Sequence, residues 1–163
     1  MYDYRPPRKG RTAHTLILAL LCLTAACFVT AARVAPLRVI FQSLGLLLLL
    51  PAIQLVTRFI ATRYLYRVRV GERGTPDLEI YAYRGGAQMK LVCRVALADI
   101  TAATPLTKEK RRAPRGTRRY SYCMDMSPRT ALILSVTNAD GACEVLLQPD
   151  ATLAELLTPL PKE

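Results

Sequence analysis

In 163 residues the chain combines 52% apolar residues, 21% charged residues, a mean hydropathy of +0.19 and a net charge of +11. A hydropathy that high beside so many charges means that apolar and charged residues are segregated along the chain. This excludes a disordered chain, a disulfide-rich mini-protein and a multi-domain enzyme, and leaves a small membrane protein with room for about one compact domain.

Residues 12–32, between Arg11 and Arg33, and residues 39–57, between Arg38 and Arg58, contain no Asp, Glu, Lys or Arg. At about 1.5 Å per helical residue the shorter run covers roughly 28 Å, close to the hydrocarbon thickness of a bilayer. Neither run alternates with polar residues or presents the polar face of a surface helix. They predict two transmembrane helices. The connection Arg33-Val34-Ala35-Pro36-Leu37-Arg38 is too short to hold structure, so the helices form an antiparallel hairpin with Pro36 in its turn. Cys22, Ala26 and Thr30 recur every four residues, a spacing at which small side chains let two helices approach closely, although small residues are common in membrane helices generally. Pro51 lacks an N–H for the Leu47 carbonyl and predicts a kink. Gln42 and Gln54 lie near the ends of the second run, which suits the interface better than a transport path.

The basic start and Thr24-Ala25-Ala26-Cys27 have features of a lipoprotein signal. Against that reading, position −3 is Thr, the charge-free run continues to Ala32, and a second span follows at once. An uncleaved anchor is expected. Arg5, Arg8, Lys9 and Arg11 precede the first span, and Arg58, Arg63, Arg67, Arg69 and Arg73 follow the second, while the loop between holds only Arg33 and Arg38. The positive-inside rule then puts both termini in the cytoplasm, with the chain multi-pass in a plasma (inner) membrane. Cys93, Cys123 and Cys143 form no C-x-x-C pattern and no complete pairing, as expected of reduced thiols in the cytosol.

From about Arg63 the hydrophobic period falls to two. Tyr64, Tyr66, Val68 and Val70 alternate with Leu65, Arg67 and Arg69; a turn at residues 71–76 follows; Leu78, Ile80 and Ala82 alternate with Glu79, Tyr81 and Tyr83. Arg84-Gly85-Gly86 signals a hairpin into Met89, Leu91, Cys93 and Val95. Three antiparallel strands are predicted, with a shorter one at residues 99–103. Residues 105–119 then carry seven basic residues, one acid, two prolines and a glycine without apolar period, the pattern of a long basic loop. Strand signals return at residues 120–126, 131–137 and 143–147, the last two joined by a turn at Asn138-Ala139-Asp140-Gly141. Asp150 is a good N-cap for a helix bearing Leu153, Leu156, Leu157 and Leu160, which Pro159 keeps short. So short a helix must dock its leucines on the sheet.

Seven strands closed by one C-terminal helix, the stretch Val95-Ala96-Leu97-Ala98-Asp99-Ile100, and Leu147-Gln148-Pro149-Asp150 leading into a leucine helix resemble the pleckstrin-homology-like (PH-like) domains of bacterial membrane-anchored proteins. The resemblance covers about residues 63–158. It implies an α+β chain: an N-terminal two-helix transmembrane hairpin, then a mainly-β PH-like barrel capped by a short C-terminal helix. An OB-type barrel is the fold alternative. The expected division is a basic cytoplasmic N-terminus at 1–13, the hairpin at 14–61, and a cytoplasmic domain at 62–163.

Catalytic chemistry has little to work with. His14, the only histidine, sits at the edge of the first span, so no histidine base serves a Ser or Cys nucleophile in the domain. No metal-ligand spacing, GxxxxGK[ST] or GxGxxG occurs. The expectation is no enzyme, no cofactor and no metal. The strongest signal is charge: residues 58–119 carry fifteen Lys/Arg against five Asp/Glu, and residues 120–163 carry two against six. Positive-inside bias accounts for Arg58, Arg63 and the N-terminal arginines, but less well for Lys108, Lys110, Arg111, Arg112, Arg115, Arg118 and Arg119, far beyond the spans. Those seven are the candidate sites for anionic lipid headgroups or a partner, each gaining about 1 kcal/mol near an anionic surface. The resemblance adds Arg67-x-Arg69 as a weaker lipid-binding pair. Nucleic acid is not favoured, because the loop lacks interleaved aromatics. The expected function is a membrane-anchored interaction module that holds a partner protein through a strand edge or loop. A lipid-binding module using the 108–119 loop is the alternative, and a transporter subunit is disfavoured by the uncharged spans.

Overall fold

The structure, a computed structural model, describes residues 1–71, 74–85, 88–107, 114, 116–128, 130–138 and 141–158. The chain is α+β, with two apolar helices near the N-terminus, then two four-stranded sheets and a C-terminal helix. It divides into a helical unit, Lys9–Thr62 with Asp125–Ser127, and a sheet unit, Met1–Arg8, Arg63–Met124 and Pro128–Glu163.

In the helical unit, α1 (Thr12–Arg33) and α2 (Arg38–Leu55) pack against each other across a 3₁₀ turn at Ala35–Leu37 that contains Pro36. With so short a link they run antiparallel. α2 continues through Pro51, and its winding changes only beyond Leu55, in a π-helical turn at Val56–Ala61. Both helices are long and apolar enough to cross a membrane, and only 22% and 11% of their apolar windows are buried. The helices of a soluble core would be mostly covered. The Cys22–Ala26–Thr30 seam is not the one used: Cys22 and Ala26 are exposed. The contact face of α1 is Ile17, Thr24, Cys27 and Ala31, and that of α2 is Gly45 and Ala52. The glycine sets the approach, because a Cβ at Gly45 would stand 3.1 Å from the Phe28 ring. Buried Thr24 satisfies its hydroxyl on the Leu20 carbonyl at 2.8 Å. The first turn of α1 has no acid of its own. Asp125 instead holds the chain just before the helix, accepting hydrogen bonds from the backbone N–H of Gly10 at 2.9 Å and of Lys9 at 3.3 Å.

In the sheet unit, sheet A has the order β1 (Tyr2–Tyr4), β2 (Thr62–Val70), β3 (Pro76–Arg84), β4 (Lys90–Ala96). Sheet B has the order β5 (Ile100–Pro105), β7 (Leu132–Asn138), β8 (Gly141–Leu147), β6 (Arg118–Ser121). The predicted inner faces hold for Tyr64, Tyr66 and Val68 of β2, Leu78, Ile80 and Ala82 of β3, and Cys93 and Val95 of β4, whereas Val70, Met89 and Leu91 are exposed and Leu65 and Glu79 are buried; a register shift between Ile80 and Tyr81 sets Leu91 opposite Tyr81. Tyr66, Leu78, Ile80 and Val95 from sheet A meet Leu134, Val136, Val145 and Leu147 from sheet B in one core. Tyr66 is fully buried, donating from its hydroxyl to the Tyr122 carbonyl at 2.8 Å and accepting from the Gln148 amide at 3.4 Å.

Four features differ from the sequence reading. Tyr2–Tyr4 form a strand where only a basic arm was expected. The strands make two sheets and close no barrel among the described residues, since the 3₁₀ turn at Leu97–Asp99 separates β4 from β5 and each sheet keeps two edge strands. The strand expected at 120–126 lies at Arg118–Ser121 and pairs parallel with β8. Cys123, Met124 and Asp125 are buried in succession, which a strand with one solvated face does not allow. Lastly, α3 (Ala151–Leu157) docks Leu153 and Leu157 in the core but leaves Leu156 46% exposed, and Leu160 lies outside the described residues. Asp150 caps α3 as expected, accepting from the Leu153 amide at 3.0 Å.

Candidate functional site

The site begins with β1. Tyr2, Asp3 and Tyr4 pair antiparallel with Val68, Arg67 and Tyr66 of β2. Three further contacts hold this short strand. The Tyr2 hydroxyl donates to Asp150, Arg67 forms a two-pronged pair with Asp3 at 2.8 and 2.7 Å, and the Tyr4 ring lies 6.2 Å from that of Tyr66. The residues after β1 therefore have a defined place on the sheet. They read Arg5-Pro6-Pro7-Arg8. Each proline fixes φ and holds the residue before it extended, so the segment has little backbone freedom.

Arg5, Pro6, Pro7 and Arg8 line a cavity of about 290 Å³ with Arg63 and Tyr64 at the start of β2, Tyr83 near the end of β3, and Met124. Pro6, Tyr64 and Met124 are buried, and Arg5 and Arg63 are exposed. No Asp or Glu is among the lining residues. Three arginines, two tyrosines, two prolines and a methionine thus line the cavity; Arg8 already has a partner, and Arg5 helps to hold the Asp3 carboxyl low.

Neighbouring charges are already engaged. The Arg67 guanidinium holds the Asp3 carboxyl below the usual carboxylate range, and Asp3 in turn raises Arg67. Arg69 pairs with the buried Glu79 at 2.9 Å, and Arg94 pairs with Asp77 at 2.9 Å. Tyr81 donates to Glu79 at 2.8 Å, and this bond pushes its phenol pKa up. Arg67 and Arg69, which the family resemblance suggested for lipid, are thus ion-paired on the outer face of sheet A.

Of the seven candidates from the basic loop, Lys108, Lys110, Arg111, Arg112 and Arg115 lie outside the described residues. Arg118 is exposed at the start of β6. Arg119 is turned onto Glu144 of β8, with Nε and Nη2 each 2.7 Å from one carboxylate oxygen. It serves the β6–β8 pairing. Sequence reading assigned the cavity arginines to positive-inside bias. The signal available was the Arg-Pro-Pro-Arg spacing, and it becomes informative only when β1 brings that segment beside Arg63. Among the thiols, Cys93 is half-buried and burial pushes its pKa up, as suits an inert core cysteine. No family model, curated protein or solved structure matches the chain.

Proposed function

We propose that this chain is a non-enzymatic, two-span membrane protein whose PH-like sheet unit binds an anionic lipid headgroup at the cytoplasmic membrane face. The observation that carries the reading is that Arg5, Arg8 and Arg63 line one cavity with no acid among its described lining residues. Chain connectivity supports a site near the bilayer surface. Arg8 lies four residues before α1 starts at Thr12, and Arg63 lies two residues after the second apolar segment ends at Ala61. The topology reading draws support from sheet A. β1 precedes the helical hairpin and β2 follows it, so their pairing keeps the N-terminal strand and the sheet unit on one side of a twice-crossed membrane. The helix after the last strand, with Leu153 and Leu157 docked in the core, is the feature that supports the PH-like reading.

The test uses the full chain purified in neutral maltoside micelles and native mass spectrometry of the lipids it retains. Anionic phospholipid carried by the wild type and lost from an Arg5→Gln/Arg63→Gln variant supports the reading. Equal retention of phosphatidylcholine and phosphatidylglycerol sinks it.

A second reading, the holding of a partner protein, rests on β4. This edge strand leaves Leu91 and Val92 exposed at 42% and 37%, and Met89 just before it at 47%. An extended apolar segment of a partner would add to such an edge by strand pairing. Photo-crosslinking from position 91 in cells tests it, and the absence of any crosslinked protein counts against it.

A further inference from the structure

We propose that the loop Asp125–Ser127 is a third membrane contact, in which Met126 inserts its side chain among the lipids at the interface where α1 begins. This rests on the two-span reading above and adds a contact that neither span makes.

The argument starts from where the loop is held. Asp125–Ser127 belongs to the helical unit, although Met124 before it and Pro128 after it belong to the sheet unit. Asp125 makes the hold. Its carboxylate accepts from the backbone N–H of Gly10 at 2.9 Å and of Lys9 at 3.3 Å, just ahead of Thr12, where α1 starts. So close an approach needs a glycine, because a Cβ at Gly10 would stand 3.1 Å from the Asp125 Cγ and Oδ1. Asp125 is itself buried, so its charge is met by the chain and is not turned toward headgroups.

Depth follows from helix length. α1 has 22 residues. At about 1.5 Å per residue it measures roughly 33 Å, a little more than the hydrocarbon core of about 30 Å. Its first residue therefore lies at the edge of that core. The headgroup layer beyond is roughly 5–8 Å thick on each side. Gly10 and Lys9 stand two and three residues before Thr12 and fall in this layer, and so does the loop that Asp125 fastens to them. The far end of the hairpin returns to the same side. There the Arg58 guanidinium lies 6.0 Å from the centre of the Phe59 ring, a cation beside an aromatic body of the kind that suits a membrane–water boundary.

The side chains of the loop fit that layer. Cys123 and Met124, just before it, are buried in the two cores of the sheet unit. Met126 is left 43% exposed, and its neighbour Ser127 is exposed and uncharged. An unbranched thioether adapts to irregular apolar surroundings, which is what the glycerol end of the acyl chains offers. The chain of the sheet unit then meets the membrane at three places: ahead of α1, beyond Ala61 and at Met126. Two tethers leave a domain free to swing, and a contact from the middle of its chain restrains it.

The sequence has no Trp, so Met126→Trp gives a single reporter in the full chain. The protein is reconstituted in vesicles of phosphatidylcholine and phosphatidylglycerol. Part of the phosphatidylcholine is brominated, either near the glycerol end or near the methyl end of its acyl chains. Leu23→Trp, at an exposed position inside α1, is the reference for the hydrocarbon core. The expected result at position 126 is blue-shifted emission that the bromines near glycerol quench more than those near the methyl end, with little quenching by iodide. The opposite order of the two lipids is expected for Leu23→Trp. Gly10→Val, combined with Met126→Trp, should displace the loop and reduce its quenching by lipid. Ser127→Trp, on the same exposed loop, replaces Met126→Trp if that variant does not fold. Quenching at 126 that Gly10→Val leaves unchanged would mean that the indole finds lipid by itself, and overturns the proposal. Emission at 126 quenched by iodide and by neither lipid, with Leu23→Trp quenched by lipid, overturns the contact and leaves the two-span reading standing. A Leu23→Trp reporter that neither lipid quenches overturns both.

Discussion

The Tyr2 hydroxyl and the Asp150 carboxylate meet although 148 residues separate them in the chain. The same carboxylate caps α3 through its other oxygen, at 3.0 Å from the Leu153 amide. One acidic side chain thus joins the first strand to the last helix. This bond also pushes the Tyr2 phenol above its ordinary pKa. Asp150→Ala removes cap and tie together and is expected to cost more than the cap alone, which is worth about 1 kcal/mol. Asp150→Asn retains a capping oxygen and should cost less. Tyr2→Phe and Asp150→Asn should be non-additive in a double-mutant cycle of thermal melts. Tyr2→Phe should also weaken ligand binding at the cavity, because β1 positions Arg5 and Arg8.

Asp3 and Arg67 give the fold an acid limb. The Asp3 pKa is lowered in the folded state, chiefly by the hydrogen bond from Arg67. The unfolded chain therefore binds more protons in that range. The contribution of the pair is present above the ordinary carboxylate pKa and is lost as pH falls through the lower folded value. Both side chains are partly exposed, at 39% and 26%, so the contribution is no more than about 1 kcal/mol and shrinks with salt. Melting temperature measured against pH should show this loss in the wild type. Asp3→Asn should remove it from the profile.

Glu79 predicts an asymmetry. Its side chain is 1% exposed, while its partners Arg69 and Arg94 are 47% and 38% exposed. If the carboxylate is neutralised, Arg69 can turn to water and Arg94 keeps Asp77. If the arginines are removed, a buried charge is stranded. Glu79→Gln should cost about 1–2 kcal/mol. The Arg69→Ala/Arg94→Ala double variant should cost about 3–5 kcal/mol, as when one side of a buried pair is removed. Chemical denaturation of both variants in micelles decides, and a larger loss from Glu79→Gln would contradict the argument.

The hairpin depends on Gly45. A Cβ there meets the Phe28 ring at 3.1 Å, so with a longer side chain either the ring must swing away or the helices must part. Gly45→Leu should destabilise α1–α2 packing by about 1–3 kcal/mol, the usual range for overpacking. Phe28→Ala should recover part of that loss when the two are combined. Loss of helical circular dichroism during titration with a denaturing detergent gives the reading.

How much of this was legible in the sequence follows from the range of the interactions. The two apolar helices show in uncharged runs, and the inner faces of β2, β3 and β4 show in the alternation of Tyr64 to Val68, Leu78 to Ala82 and Cys93 to Val95. These patterns are local. β1 is three residues long, and only the distant partners Arg67, Tyr66 and Asp150 make it a strand. The parallel β6–β8 pairing likewise depends on Arg119 meeting Glu144, a match across 25 residues. The hairpin seam was misplaced for a related reason: regular spacing of small residues says nothing about which face meets Gly45. The cavity arginines were visible but looked like ordinary flanking charge. Their meaning comes from convergence, which no single stretch of sequence carries.

The pairing of Tyr2–Tyr4 with Tyr66–Val68 also sets an order of events during synthesis. The first strand leaves the ribosome more than sixty residues before its partner, with both apolar helices made in between. It stays single until both helices have been made and β2 has emerged behind them. Sheet A can be completed only after the whole helical segment has been synthesised. Closure of its outermost strand, which sets Arg5 and Arg8 beside the start of β2, is thereby a late event that joins the residues on either side of the two helices.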